Sequence, residues 1–263
     1  MPCDLLQSYQ DLASHSIPNI VIQRLQTLSA ADATLLDKLS GFQNWHIQNL
    51  SDAHGIVVNM DFFPITIDRL PEGYTAESLL EYIRVNINDF TNDDAVFEPY
   101  PDLMPEEEEY WKRNDLGTII HINLFPHNGT VIVTEAKNHQ WIFSVIRSPL
   151  DLHHPISGNR EFGFIENGDG SYTFYTRGVD RLSQPNTANV AAVLSAFGID
   201  LMSQADALWM SFQDRIKKFT EQNGGSASLP TQRNQGGRPD WNEVKRFLKG
   251  EITLEEIRSD CEN

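Results

Sequence analysis

A twelve-residue segment, HHPISGNREFGF at positions 153–164, concentrates side chains that carry out acid–base, nucleophilic or metal chemistry. His153 and His154 are adjacent, and adjacent side chains of a strand point to opposite faces, so the two rings cannot chelate one metal ion together. Ser157 stands in I-S-G-N rather than in the G-x-S-x-G elbow of α/β hydrolases. The sequence therefore predicts no metal site here, and it predicts a polar loop, 148–159, that leads into a strand.

Five charged residues follow on the two strands of a predicted hairpin. They are Arg160 and Glu161 on the first strand and Arg177, Asp180 and Arg181 on the second. Antiparallel pairing around the Asn-Gly-Asp-Gly turn brings Arg177 near Glu161, and the same pairing brings Arg160 near Asp180. Two interpretations stay open: cross-strand ion pairs that fix the end of the sheet, or a clamp of three arginines for a small anionic ligand.

An aromatic face accompanies these charges, because alternate residues of a strand share one side of the sheet. Such a face either lines a ligand pocket or fills a core, and both interpretations stay open. The aromatic candidates for a pocket lining are Trp141, Phe143, Phe162, Phe164 and Phe174. The predicted ligand-binding residues are Arg160, Arg177, Arg181, Glu161, Asp180, His154, Trp141, Phe143, Phe162 and Phe174.

A third set of polar residues lies on the preceding strands. Glu135 shares the strand face of Val131 and Val133, and His121 and His139 are the nearby histidines. If Glu135 is buried, its raised pKa would suit an acid or a base. If the face is exposed, Glu135 is an ordinary surface residue.

The elements that position these residues change their hydrophobic period along the chain. β-Branched and aromatic residues predict one or two strands within 55–71, and the apolar stripe after Thr75 predicts a helix. Strand-like runs separated by turns predict an antiparallel meander. These runs span 119–125, 130–136, 141–147, 160–166 and 171–180. Apolar residues return at helical spacing from Val190 to Phe219, which predicts a long C-terminal helix.

The same reading divides the chain into four parts. A helical N-terminal extension (1–54) precedes an α+β core domain (55–222). Glycine, serine and proline predict a flexible linker at 223–239. A short helical tail (240–263) follows.

Composition limits the classes of partner. The net charge of −17 repels nucleic-acid phosphate and is compatible with a basic protein partner. The first residues lack the basic start and the apolar run of a signal peptide. No stretch approaches the roughly 18 to 20 apolar residues of a membrane span. With Cys3 and Cys261 alone, no disulfide framework or zinc site is predicted. We expect a cytoplasmic protein without a cofactor or a metal.

The order of elements, a strand, helices, a run of antiparallel strands and a long C-terminal helix, resembles the helix-grip superfamily of START and plant-allergen-like proteins. The resemblance covers roughly 55–222. The fragment HPISGNREF is similar to an HPxxGxxxF-type segment of some small bacterial members, at His154, Pro155, Gly158 and Phe162. The resemblance implies a curved sheet that wraps the long helix and encloses an apolar cavity.

Together these observations favour a non-catalytic binding protein that holds a small apolar or amphipathic ligand or a protein partner. One alternative is a hydrolase or cyclase-like enzyme with a polar pocket mouth. Its polar groups would come from His154, Glu161, Arg177 and Asp180. Another alternative is an acidic inhibitor or immunity-type protein that neutralises a basic partner.

Overall fold

The computed structural model describes residues 9–93, 95–124, 128–183, 201–253 and 256. The strands within this part are β1 (His46–Ile47), β2 (Asn59–Arg69), β3 (Ala95–Pro99), β4 (Ile119–Leu124), β5 (Gly129–Lys137), β6 (Gln140–Arg147), β7 (Ile156–Glu166), β8 (Tyr172–Leu182) and β9 (Ser226–Ser228). They form one antiparallel sheet in the order β3-β4-β5-β6-β7-β8-β2-β9, and β1 pairs with β6. The meander predicted from the turn signals is confirmed.

Within the described residues, helices separate consecutive strands at three places, and further helices precede the first strand and follow the last. They are α1 (Asn19–Asp32), α2 (Leu35–Ser40), α3 (Ala76–Val85), α4 (Ile87–Phe90), α5 (Glu106–Lys112), α6 (Leu201–Gln222) and α7 (Trp241–Leu248). At the start of α3, the Thr75 side chain accepts a hydrogen bond from the Ser78 N–H, which satisfies one of the helix's free N–H groups. The predicted beginning of the long helix near Val190, the Pro-His part of the β4–β5 turn and both cysteines lie outside the described residues.

One face of the sheet, called here the inner face, packs against α6. Leu208, Trp209, Phe212 and Ile216 of α6 join the alternate residues of the strands in one buried apolar cluster. β2 comes before α3 and α4 in the chain and pairs with the last meander strand, β8, and α6 contacts β2, β9 and α4. This is the α+β helix-grip arrangement, as the sequence predicted.

The opposite face, called here the outer face, is covered by the two extensions. Tyr9 and Leu12 in the helical turn 9–13, together with Phe247 of α7, pack against Met60 and Phe62 of β2. Helix α1 covers the other side of this face through a second apolar cluster. Because both faces are covered, β2 is buried along most of its length instead of alternating between buried and exposed residues.

The segment 223–239, predicted from its composition to be a flexible linker, is hydrogen-bonded along the free edge of β2. Its β9 part pairs with the C-terminal half of β2, and Gly237 exchanges two backbone hydrogen bonds with Met60. Gly236 permits this approach, because a Cβ there would overlap the backbone of Met60. Glycine thus serves close packing here, whereas composition alone suggested mobility.

Candidate functional site

The three predicted arginines lie on two different faces of the sheet. Arg160 points to the inner face, where its guanidinium stacks on Trp209 of α6 at 4.2 Å. Arg177 and Arg181 lie on the outer face, beside Tyr175 and Trp241. The side chains of Arg160 and Arg177 point to opposite faces of the sheet. The three-arginine clamp, one of the two interpretations of the sequence, therefore does not form. Sequence reasoning placed them together because it did not assign a face to each.

On the inner face, Arg160 meets two carboxylates and one amide. Its Nη2 lies 2.5 Å from Asp61 Oδ2 and 3.9 Å from Asp180 Oδ2. Asn59 Nδ2 donates to the same two oxygens, at 2.7 Å to Asp61 and 3.2 Å to Asp180. These four residues, Asn59, Asp61, Arg160 and Asp180, are called here the inner carboxylate cluster.

Backbone and sheet register hold this cluster in place. Asp61 pairs with Gly178 across the β2–β8 ladder, and Arg160 pairs with Gly178 across the β7–β8 ladder. A Cβ at Gly178 would overlap the Arg160 guanidinium. Glycine at this position therefore gives Arg160 room to reach across β8 to Asp61.

The side of the cluster that meets solvent is formed by a second ion pair. Arg238 Nη2 lies 2.8 Å from Asp206 Oδ2 of α6, and Arg238 Nε donates to Asn59 Oδ1 at 3.3 Å. The side chains of Arg238 and Asp206 are 35% and 23% exposed. The C-terminal segment thus places a partly exposed cation next to the buried carboxylates.

The cluster holds more negative charge than its cations neutralise. Asp61 and Asp180 are both buried, and Arg160 lies within ion-pair distance of both carboxylates. Burial, and then the nearby Asp61 carboxylate, raise the pKa of Asp180 to about 7. Within the described part of the chain, Asp61 Oδ1 and Asp180 Oδ1 have no hydrogen-bond partner. Two buried acceptors therefore face their surroundings without a donor, which is rare in a folded protein.

The outer-face ion pair is fully partnered. Arg177 Nη2 lies 2.9 Å from Glu161 Oε2, its Nε donates to Glu161 Oε1 at 3.1 Å, and Tyr175 Oη donates to the same Oε1 at 2.6 Å. Burial and the Glu161 charge raise the pKa of Tyr175 above its usual range, so the phenol remains a donor. The pairing predicted between Arg177 and Glu161 is present. Both oxygens of Glu161 are occupied by the Arg177 guanidinium.

Arg181 is likewise committed to the backbone. Its guanidinium donates to the carbonyls of Gly55 and Leu50 and stacks on Trp241 at 4.0 Å. Burial lowers the pKa of Arg181 to about 10, which leaves it charged at neutral pH. Arg181 therefore joins the N-terminal extension and α7 to the sheet.

His154 is a buried neutral residue. Burial lowers its pKa to about 4, and its Nδ1 accepts a hydrogen bond from the Ile156 N–H at 3.2 Å. The ring occupies the space that a side chain at Gly129 would need. His154 thus packs against Gly129 of β5. Because its ring is uncharged at neutral pH, it is a poor proton donor for a substrate.

The third predicted set does not assemble. A β-bulge between Val133 and Glu135 rotates Glu135 to the face of Ile142, away from Val133. There Glu135 pairs with Lys137 at 2.9 Å. His121 pairs instead with Asp151, Nδ1 to Oδ2, at 2.8 Å. No group of three metal-binding side chains occurs among the described residues.

The predicted pocket-lining aromatics pack mainly on one another and on α6. The rings of Trp141 and Phe162 are stacked with centroids 4.5 Å apart, and Phe162 makes edge contacts with Trp209 and Phe212. Trp141, Phe143, Phe162 and Phe174 are each at most 3% exposed. They form the apolar wall next to Arg160.

Sequence reasoning missed Asn59 and Asp61. A signal was present, since an Asn and an Asp interrupt an otherwise apolar strand in NMDFFPITI. Polar residues in a strand that is buried on both faces need partners, and Arg160 is such a partner. The contribution of Arg238 had no signal in its local sequence.

Comparisons with known proteins give structural likeness only. No family model and no curated protein matches the chain. It is similar to the di-domain ARO/CYC StfQ of the steffimycin biosynthetic pathway, with 14% identity over 63% of this chain and 51% of that one, and a TM-score of 0.41. It therefore spans about half of StfQ.

Two further similar structures are a truncated norcoclaurine synthase from Thalictrum flavum and the human StarD13 (DLC2) lipid transfer and protein localization domain. The synthase is 15% identical over 62% of this chain and 92% of its own, with a TM-score of 0.37. The StarD13 domain is 12% identical over 78% and 98%, with a TM-score of 0.34.

Two predictions from the composition are not tested by the contacts of the described residues. The basic protein partner and the cytoplasmic location stay predictions. In the part of the chain that the structure describes, no helix is both long and apolar enough to cross a membrane.

Proposed function

We propose that this protein is a non-catalytic binding protein for a small amphipathic molecule, whose hydrogen-bond-donating or cationic group meets the inner carboxylate cluster. The observation that carries the proposal is the pair of buried, unpartnered oxygens on Asp61 and Asp180. A ligand with donors would satisfy both oxygens. The aromatic wall of Phe162 and Trp209 beside Arg160 would contact its apolar part.

The sign of the ligand's charge follows from the side chains. Of the three arginines predicted to bind an anion, only Arg160 reaches the inner face, and there Asp61 already pairs with it at 2.5 Å. A second carboxylate, Asp180, adds repulsion for any anion. The cluster therefore favours a cation or a neutral donor over the anionic ligand that was one of the two interpretations of the arginines.

Native mass spectrometry of the purified chain tests the proposal directly. We expect a non-covalently bound small molecule that is released on denaturation and is at least tenfold depleted in Asp180→Asn. The matched control is Glu161→Gln, which changes a buried acid on the outer face. If both variants retain the molecule equally, it does not bind at the inner carboxylate cluster.

A pair of simple probes tests the charge preference. In isothermal titration, n-hexylammonium should bind the wild-type chain more tightly than n-hexanoate, and Asp180→Asn should reduce this difference. If n-hexanoate binds more tightly, the assignment of charge is wrong. If neither probe binds and no molecule copurifies, the binding role itself fails.

An acid–base enzyme is the second candidate, favoured by one observation. Asp180 has a pKa of about 7, so its carboxyl both gives and takes a proton readily at neutral pH. The test is incubation of the chain with a small-molecule cell extract and mass spectrometry of what is consumed. Consumption by the wild type that is abolished in Asp180→Asn and kept in Glu161→Gln supports an enzyme, whereas no consumption supports the binding role.

A further inference from the structure

A second concave site lies away from the inner carboxylate cluster. A groove of about 510 Å³ runs between α3, the residues after α5 and the β5–β6 turn. Leu80, Ala136 and Trp141 provide its apolar surface, and Arg84, Asn114 and Lys137 are among its polar lining residues. This volume falls within the usual range for small-molecule sites.

Two residues that line the groove carry buried polar atoms of opposite hydrogen-bonding character. Within the described residues, neither Trp141 Nε1, a donor, nor Asn114 Oδ1, an acceptor, has a hydrogen-bond partner. Trp141 is only 1% exposed, and one face of its indole is stacked on Phe162. A buried indole N–H normally finds an acceptor, so a ligand that offers both an acceptor and a donor would satisfy both atoms.

The three cations that line the groove, Arg84, Arg113 and Lys137, are each paired with a carboxylate, whereas the lining carboxylate Glu77 has no ion pair among the described residues. Arg84 lies 2.5 Å from Glu81, and Lys137 lies 2.9 Å from Glu135. Arg113, also on the lining, lies 2.7 Å from Asp115. No cation of the groove is therefore left to bind an anion, Glu77 adds repulsion for one, and the two unpartnered atoms call for uncharged hydrogen-bond partners.

We propose that this groove binds a small neutral molecule with an apolar body and a carboxamide-like group. Its carbonyl accepts a hydrogen bond from Trp141 Nε1–H, and its N–H donates to Asn114 Oδ1. The apolar body packs on Leu80 and Ala136. This site is independent of the proposed function, because it shares no residue with the inner carboxylate cluster and stands on different unpartnered atoms.

Proton–nitrogen NMR of the tryptophan side chains tests this proposal, with benzamide as the probe. The indole signal of Trp141 is identified as the one missing from Trp141→Phe. We expect benzamide to shift this signal in a saturable way. Sodium benzoate and N,N-dimethylbenzamide should bind at least tenfold more weakly, because the first is charged and the second lacks the N–H donor.

Two variants locate the site. Asn114 has a positive φ of 58°, so Asn114→Gly keeps the backbone conformation while removing the acceptor. It should weaken benzamide binding at least tenfold, and Ala136→Leu, which fills the groove, should abolish it. Asn123→Ala, at an exposed position of β4 outside the groove, is the control and should bind like the wild type.

Any one of three results would overturn the proposal. They are a Trp141 signal that benzamide does not move, equal binding of benzoate or N,N-dimethylbenzamide, or unchanged binding in both groove variants. Unchanged backbone spectra away from the groove show that each variant is folded. If Asn114→Gly does not fold, Ala136→Leu gives the same decision. None of these results depends on n-hexylammonium binding, so the two proposals fail separately.

Discussion

Two ion-pair clusters lie within a few residues of each other on the β7–β8 hairpin, yet they differ in how completely they are satisfied. On the outer face, one carboxylate, Glu161, receives Arg177 and the Tyr175 hydroxyl. On the inner face, Asp61 and Asp180 share Arg160, and among the described residues one oxygen of each carboxylate has no hydrogen-bond partner. The first cluster balances its charge, and the second does not.

This difference separates an ion pair with a structural role, on the outer face, from a candidate binding site, on the inner face. A buried pair with matched charges and complete hydrogen bonds stabilises a unique packing and leaves no group for a ligand. A buried carboxylate excess persists only when something else compensates it, such as a proton or a bound donor. Substitutions in the two clusters should therefore change the stability in opposite directions.

The largest effect is expected on the outer face. Arg177→Met leaves Glu161 buried without its cation, which should cost on the order of 3 to 5 kcal/mol of unfolding free energy at neutral pH. Chemical denaturation measures this loss. The double variant with Glu161→Gln should recover a large part of it, and a double variant as unstable as the single one would show that lost packing, not charge, is responsible.

The inner face should respond in the opposite direction. Asp180→Asn removes a carboxyl whose folded pKa of about 7 exceeds the usual 3.8. Between these values the folded state of the wild type binds the extra proton, so its stability falls as the pH rises. The variant should therefore be more stable than the wild type at pH 8, by on the order of 3 kcal/mol. It should differ little at pH 4.

Denaturation curves at pH 4, 6 and 8 measure this dependence. Glu161→Gln serves as the reference for a buried acid that has a matched cation, and it should be destabilising at pH 8. A destabilising effect of Asp180→Asn at pH 8 would remove the contrast between the faces.

A smaller effect is expected at the glycine that gives Arg160 its path. Gly178→Ala places a methyl group against the guanidinium and should cost about 1 to 2 kcal/mol, since Arg160 must shift from Asp61. Gly168→Ala, where nothing lies within 4 Å, is the control for the substitution itself. Equal effects at the two sites would mean that Arg160 does not depend on this space.

The smallest effect concerns a hydrogen bond between the N-terminal extension and the sheet. Tyr9 Oη donates to the backbone carbonyl of Asp61 at 2.7 Å. Tyr9→Phe removes this bond and should cost about 1 kcal/mol. Thermal unfolding measures it. An effect as large as that of Arg177→Met would show that the extension contributes to the cluster more than one neutral bond does.

Much of the architecture was predictable, because it depends on local patterns. Period-two runs and turn residues gave the meander, and helical spacing gave α6. The pairing of Arg177 with Glu161 followed from the turn that sets the hairpin register. Residues 223–239 were not predictable in the same way, since their hydrogen bonds are made to β2, more than 150 positions earlier in the chain.

The site itself was predictable only in part. Arg160 and Asp180 could be named from one hairpin, whereas Asp61 and Arg238 come to them from distant segments. The bulge at Glu135 also shows how one inserted residue moves a side chain to the other face, against the simple alternation of the sequence.

The sequence by itself determined the helix-grip order of elements, the hairpin register and the charged residues on it, because these depend on periodicity and turn chemistry. Tertiary structure alone decided which face each charge occupies and what stands opposite it. That decision depends on α6, on the C-terminal segment and on the N-terminal extension closing over the two faces. Burial then turned Asp61 and Asp180 from ordinary acids into an unbalanced pair, since desolvation acts only on groups that packing removes from water.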